Sequence, residues 1–266
     1  MFIDTHMHIG ENFGINPDQY IENALAADVG KMIASFCEKD DLFESTKYVE
    51  KYKSLYCAVG YHPEVFNKIV DKDFEILENV IKSNKKIVAI GEIGLDYHWD
   101  KEHKDKQKEI FRRQLELAEA LNMPVVIHTR DAIEDTYQIL KDYKVKGVMH
   151  CFSGSLEMAQ KFIDLGYMIG IGGVLTFSNS KLYQVVEKLP LESIVLETDS
   201  PYMAPVPYRG TTNQSSNIPI IAERLAEIKN VNIDVIREIT TKNANTLFDL
   251  NIKVWYILIK NIEGLL

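Results

Sequence analysis

Phe2-Ile3-Asp4-Thr5-His6-Met7-His8-Ile9 is a short β-prone run that breaks into His-Met-His. An open doubly wound sheet that binds a nucleotide favours a glycine-rich turn after its first strand. Two imidazoles stand there instead. Residues two apart on a strand point to the same side, so both rings can reach one point. This ending favours a barrel whose strand ends carry chemistry.

Seven further apolar runs follow: Lys31–Phe36, Leu55–Gly60, Ile87–Gly91, Val125–His128, Gly147–His150, Met168–Ile171 and Ile194–Glu197. Most are β-branched without strict alternation, as in strands buried on both faces. Between them, apolar residues recur at helical spacing: Phe111, Leu115, Ala118 and Leu121, then Ile133, Tyr137 and Leu140, then Ile221, Leu225 and Ile228. Eight strand–helix units in 266 residues predict an α/β fold, a single (β/α)8 TIM-type barrel, for which about 250 residues is typical. No Pro- or Ser-rich linker divides the chain. Residues 1–250 are assigned to the barrel. Residues 251–266 form an expected C-terminal tail packed on it, with the apolar run Val254–Ile259 between Lys253 and Lys260.

Hydrophobic residues make up 46% of the chain and charged residues 26%, which excludes disordered, collagenous and coiled-coil classes. No run of ~20 apolar residues is present, so no membrane partner is expected. Asp4 interrupts the start, and no basic and then apolar leader follows, so no secretory signal is expected. Cys37, Cys57 and Cys151 are too few for a disulfide scaffold, and their odd number points to a reducing, cytoplasmic location. The net charge of −9 excludes a broad basic track for nucleic acid. Local capture of a phosphodiester end in a small cationic cleft stays open.

The chemistry lies in what terminates the runs. The fourth ends at Glu92, the fifth at His128, the sixth at His150, and the eighth leads through Glu197-Thr198 to Asp199. In a barrel these ends share the C-terminal rim, where active sites of this fold lie. With His6 and His8, four imidazoles and two carboxylates would converge. Buried ionisable groups need a partner, and a divalent metal suits this donor set. Six ligands exceed the three that one catalytic zinc ion normally takes. Two ions bridged by a carboxylate would distribute them, with Glu92 as the bridge.

Five segments, in this order, resemble the TatD family of metal-dependent deoxyribonucleases: Phe2–Ile9, Gly91-Glu-Ile-Gly-Leu-Asp-Tyr97, Pro124–Ala132, His150-Cys-Phe-Ser-Gly154 and Leu196-Glu-Thr-Asp-Ser-Pro201. The likeness runs to about Phe248. It implies a barrel hydrolase acting on phosphodiesters, often as a 3′→5′ exonuclease on single-stranded DNA or nucleic-acid ends. By motif match, His6, His8 and Asp199 would hold one divalent ion with Glu92, and His128 and His150 a second with the same Glu92. Asp199 and Glu92 would also be catalytic, with Asp199 receiving the proton of a metal-activated water. His62, Arg130 and Arg209 would meet the substrate. Imidazole-rich sites favour Zn or Mn by ligand softness, whereas the family is described as Mg-dependent. Ser178, Thr211 and Thr212 are neutral where the family often has cations, Gly10 stands at a commonly acidic position, and Gln214 replaces a common acid.

Other features have bland and functional readings. Asp96, Tyr97, His98 and Trp99 read as a loop over the site, whose aromatic rings either stack on a base or pack at the rim. Lys104, Lys106, Lys108, Arg112 and Arg113 share their segment with Asp105 and Glu109, so they read as a solvated helix face. Gly170-Ile-Gly-Gly173 lacks the phosphate-loop spacing and lysine and reads as tight turning. Cys151 reads as packing. Two other functions fit the same ligands: a barrel hydrolase of ester or amide bonds, such as an aminoacyl-tRNA deacylase or lactonase-like enzyme, and a catalytically silent metal-binding protein.

Overall fold

The computed structural model describes residues 1–10 and 13–250; the expected tail at 251–266 lies outside the described residues. Eight parallel strands line up in sequence order: β1 (Phe2–Met7), β2 (Val29–Phe36), β3 (Leu55–Val59), β4 (Ile87–Asp96), β5 (Val125–Arg130), β6 (Gly147–Met149), β7 (Tyr167–Ile171) and β8 (Ile194–Leu196). The ends of this sheet meet. Met7 bridges Ser200, Asp199 N–H donates to His6 O at 3.0 Å, and His8 N–H donates to Ser200 O at 2.7 Å. The result is the expected (β/α)8 barrel. Every run read as a strand is one, although β4 continues past Glu92 to Asp96 and β5 past His128 to Arg130.

Helices α1 (Pro17–Ala26), α2 (Leu42–Lys51), α3 (Asp71–Ser83), α4 (Lys104–Leu121), α5 (Ile133–Leu140), α6 (Leu156–Asp164), α7 (Leu182–Lys188) and α8 (Ile218–Lys229) connect or follow the strands, and α9 (Ile233–Phe248) comes last. Local chemistry sets their ends. The Asn16 side chain accepts N–H groups at the start of α1 and the Ser155 hydroxyl does so at the start of α6, satisfying donors that lack intrahelical partners. Asn122 and Asn230 stop α4 and α8 in the left-handed conformation. The basic residues of α4 are paired outward: Lys106 with Glu109, Lys108 with Asp135, and Arg113 with Asp71. This is the solvated face expected from the sequence.

The main core fills the space between strands and helices. A second cluster gathers Ile3, Ile33, Ala58, Ala89, Val126, Val148 and Val195 near the strand N-termini, with Phe248 and Leu250 packed against them. That end of the barrel is closed by apolar side chains. The polar residues collect at the other end.

Candidate metal centre

Register shifts interrupt the β1–β2 ladder between Asp4 and Met7 and the β4–β5 ladder between Ile90 and Ile93. Such irregularities re-aim side chains at barrel rims. Thr5 and His6 lie inside the first, Gly91 and Glu92 inside the second. Gly94 then lets β4 rejoin β5, because its φ of +147° suits glycine and a Cβ there would strike the His128 carbonyl.

The six expected ligands come together. His6 Nε2 lies 3.2 Å from His8 Nε2. Glu92 Oε2 lies 3.4 Å from His6 Nε2 and 3.8 Å from His8 Nε2. The other oxygen, Oε1, lies 2.8 Å from His128 Nδ1, 3.5 Å from His62 Nε2 and 3.7 Å from His150 Nε2. Asp199 Oδ1 stands 3.7 Å from each of His6, His8 and His150 Nε2. His6, Glu92 and His150 form the buried floor, while His8, His62, His128 and Asp199 are partly open above it.

The donor set fits divalent metal. Two imidazole nitrogens about 3 Å apart can share one ion at ~2.1 Å each with an angle near 90–100°. His6 has the buried, unprotonated character that a ligand needs: burial and then the neighbouring His150 push its pKa well below the ordinary value. His128 and His150 go the other way. Burial opposes their charge, but Asp96 and Glu92 raise His128 to about 9, and Glu197, Glu92 and Asp199 raise His150 to about 10. Burial likewise opposes ionisation of Glu92, yet His150, His6 and His62 hold its carboxyl well below the usual range. The pocket therefore demands positive charge, and a bound cation would take the place of these protons.

Three of the candidate ligand rings are also held from behind. His6 Nδ1 meets Ser35 Oγ at 3.2 Å, and His128 Nε2 meets Asp96 Oδ2 at 2.9 Å. His150 Nδ1 lies 3.1 Å from Glu197 Oε1. Groups that engage the far nitrogen fix the ring and its tautomer. Glu197 Oε1 also accepts Cys151 N–H at 2.6 Å. Burial pushes the pKa of the Cys151 thiol well above its ordinary value. Asp4 is the deepest support. It accepts from Thr198 Oγ1 and Ser215 Oγ, both at 2.6 Å, and from Thr198 N–H at 3.0 Å, tying β1 to the segment that carries Asp199.

Sequence reasoning missed Asp4, Ser35, Asp96 and Glu197. Asp96 was visible in Gly94-Leu-Asp-Tyr97 but read as loop; it is the last residue of β4 and is buried. Tyr97 is not a free ring for stacking: it is buried, donates to Asp135 Oδ2 at 2.7 Å, and carries Lys104 over its face. Trp99 is exposed, with the Arg130 guanidinium 5.6 Å from its centroid. Gly170 and Gly173 serve close approach rather than turning alone, since a Cβ would strike Glu197 Oε2 at one and Met203 O at the other. His62 both accepts Glu64 N–H through Nδ1 and faces the site through Nε2. Arg209 stacks on Phe177 at 4.3 Å, on the rim. Ser178, Thr211 and Thr212 are exposed.

A family model described as TatD related DNase matches residues 3–249. The chain belongs to the TatD family. TatD relatives include YabD of Bacillus subtilis (strain 168), named as an uncharacterized metal-dependent hydrolase. It is 38% identical over 256 residues, spanning 94% of this chain and 100% of YabD. The crystal structure of the TatD homologue YjjV from Escherichia coli K12 superposes with a TM-score of 0.87 at 34% identity, covering 93% of this chain and 98% of that one. A TatD family hydrolase from Entamoeba histolytica shares the fold with a TM-score of 0.84 at 24% identity, covering 93% and 97%. This TatD chain is accordingly a metal-dependent hydrolase. Among its described residues, no helix is long and apolar enough to cross a membrane.

Proposed function

We propose that the chain hydrolyses phosphodiester bonds at the ends of single-stranded DNA, using two divalent ions bridged by Glu92. One observation carries the two-ion reading. The two oxygens of Glu92 face different donor sets, His6 and His8 on one side, His128, His62 and His150 on the other. His6, His8 and Asp199 would hold one ion and His128 and His150 the other. When bound, such ions supply Lewis acidity and lower the pKa of water.

The chain's own groups supply the rest. Asp199, partly open above the floor, accepts the proton of the attacking water at a carboxylate oxygen. His62 Nδ1 accepts Glu64 N–H at 3.2 Å, so its proton sits on Nε2, aimed into the site. His62 therefore donates a hydrogen bond to a phosphoryl or leaving-group oxygen and keeps its proton, while the departing oxygen takes up the proton that Asp199 received from the water. Arg130 offers its fork of donors to a non-bridging oxygen.

The exposed, neutral Ser178, Thr211 and Thr212 favour a second reading, hydrolysis of an ester such as an aminoacyl-tRNA or a lactone. An end-labelled single-stranded oligonucleotide, an aminoacyl-tRNA and a simple lactone, each assayed with Mg, Mn and Zn, separate the two. The expected result is stepwise shortening from the 3′ end, lost in Asp199→Ala and Glu92→Ala. Cleavage of the ester alone would replace the nuclease reading with the second. Full activity in either variant would sink the assignment of these residues.

A further inference from the structure

Helix α4 turns two amides inward. Gln107 and Gln114 are 2% and 1% exposed on the face that packs against β4, where an unpaired amide would be costly. Each is satisfied by a backbone. Gln114 Oε1 accepts Tyr61 N–H at 2.7 Å and its Nε2 donates to Tyr61 O at 3.0 Å. Gln107 Oε1 accepts Asp96 N–H at 2.9 Å, and its Nε2 donates to Asp96 O at 3.0 Å and Asp100 O at 3.2 Å.

The reason lies in the sheet. β3 stops at Val59 while β4 runs on to Asp96. Beyond Val59, Gly60 and His62 donate their N–H groups toward the end of β2, to Phe36 O and Cys37 O. Tyr61, between them, has its backbone groups turned away from β2. Asp96 stands opposite Arg130 in the β4–β5 ladder, where Tyr97 N–H donates to Arg130 O, and its own N–H and C=O go to Gln107. In both residues the backbone N–H and C=O bond a glutamine amide where a strand partner would otherwise stand. The glutamines replace it, since a primary amide presents one donor and one acceptor as a peptide does.

The two clamps flank one pair of rings. Tyr61 precedes His62, and Asp96 holds His128 Nε2; the His62 and His128 rings pack edge to face at 4.5 Å. Gln107 and Gln114 are seven residues apart, two turns along one helix face, or about 10 Å. We propose that Gln107 and Gln114 are positioning residues, through which one rigid helix sets the placement of His62 against the Asp96–His128 pair. This rests on the metal-hydrolase reading of the site. The roles differ: Gln107 acts on ion binding through Asp96 and His128, Gln114 on substrate and leaving group through His62.

The test uses the full chain and its Gln107→Met and Gln114→Met variants, near-isosteric and without the amide. Manganese binding is followed by calorimetry, hydrolysis of bis(p-nitrophenyl) phosphate by initial rates, and stability by thermal melting. Gln107→Met should weaken the binding of one ion by about 10–100-fold. Gln114→Met should keep ion binding and change kcat or KM by roughly tenfold or more, because small misplacements of catalytic groups are costly. Should a methionine variant fail to fold, Gln→Asn at that position, the same amide one methylene short, is expected to show the same split. Wild-type-like binding and kinetics in both variants would overturn the proposal. So would equal losses of both properties in both variants that track a lowered melting temperature. If the wild type neither binds manganese nor turns over the probe, the reading of the site fails instead. The clamps are then judged by hydrogen exchange of the Tyr61 and Asp96 amides, which must quicken in the variants.

Discussion

Asp96 Oδ2 lies 2.9 Å from His128 Nε2, on the side of the ring turned away from Glu92. Its other oxygen accepts the N–H groups of His98 and Trp99 at 2.9 and 3.2 Å. One buried carboxylate thus orients the His128 ring and anchors the loop that presents Trp99. Burial alone would raise the Asp96 pKa, but His128 and these N–H groups hold it below its ordinary value. Asp96→Ala should lower metal affinity by about 10–100-fold, the usual effect of removing such a support. Asp96→Asn, which keeps a hydrogen-bonding atom in place, should lose less. Metal titration of the two variants gives the comparison, and unchanged affinity in Asp96→Ala would remove Asp96 from the site.

Glu197 makes a similar connection through a glycine. A Cβ on Gly170 would collide with Glu197 Oε2, whose partner oxygen lies against His150 Nδ1, whereas a Cβ on Gly172 would meet only ordinary contacts, the nearest at 3.5 Å. Gly170→Ala should cost about 1–3 kcal/mol by overpacking and weaken metal binding by pushing Glu197 toward His150. Gly172→Ala should stay near wild type in both. Denaturant melts and metal titration of the pair decide it; equal behaviour of the two variants would contradict the contact.

The barrel and the convergence of His6, His8, Glu92, His128, His150 and Asp199 were legible because both are written in local pattern. Most strands are short β-branched runs, and each proposed ligand closes or follows such an apolar run, even where the strand itself continues, as β4 does past Glu92 and β5 past His128. The supports were not legible because their meaning depends on distant partners. Asp4 meets Ser215 across 211 residues, and Gln114 meets Tyr61 across 53. Asp96 was hidden differently. Taking Glu92 as the end of β4 put Asp96 in a loop, and the register shift at Gly91–Glu92 that keeps the strand going has no sequence period of its own. Gln107 and Gln114 sit at positions where helical spacing predicts core, and only the early end of β3 explains why amides are there.

Away from the site, Asp73 gives a pH signature. Its carboxylate meets Lys39 Nζ at 2.8 and 3.0 Å and accepts Val70 N–H at 2.9 Å at the start of α3. Burial pushes its pKa up, but Lys39 and the Val70 N–H outweigh this and hold it below the ordinary value. A carboxylate depressed on folding contributes stability above its unfolded pKa, near 4, and loses it as the pH falls through the lower native value. Asp73→Asn should therefore be less stable at pH 7 by about 1 kcal/mol, or roughly 2–4 °C. The gap should close below pH 4. A gap that persists unchanged to pH 2.5 would show that charge is not its source.

Arg130 is the cation proposed to meet the substrate. It lies at the end of β5, two residues after His128, exposed, with its guanidinium over the ring of exposed Trp99. Many surface cations of this acidic chain are ion-paired, but among the described residues no carboxylate pairs with Arg130. A guanidinium held against an indole keeps its donor edge free for a phosphate. Arg130→Ala should raise KM for single-stranded oligonucleotides about tenfold with a smaller change in kcat. It should also flatten the salt dependence of kcat/KM by about 0.7 in the log–log slope, as for one lost phosphate contact on a single strand. Arg130→Lys should restore the slope but not the full affinity, since an ammonium keeps the charge and loses the planar fork. Trp99→Ala should leave the slope intact and raise KM through lost support and stacking. An unchanged slope in Arg130→Ala would mean that the phosphate is gripped elsewhere.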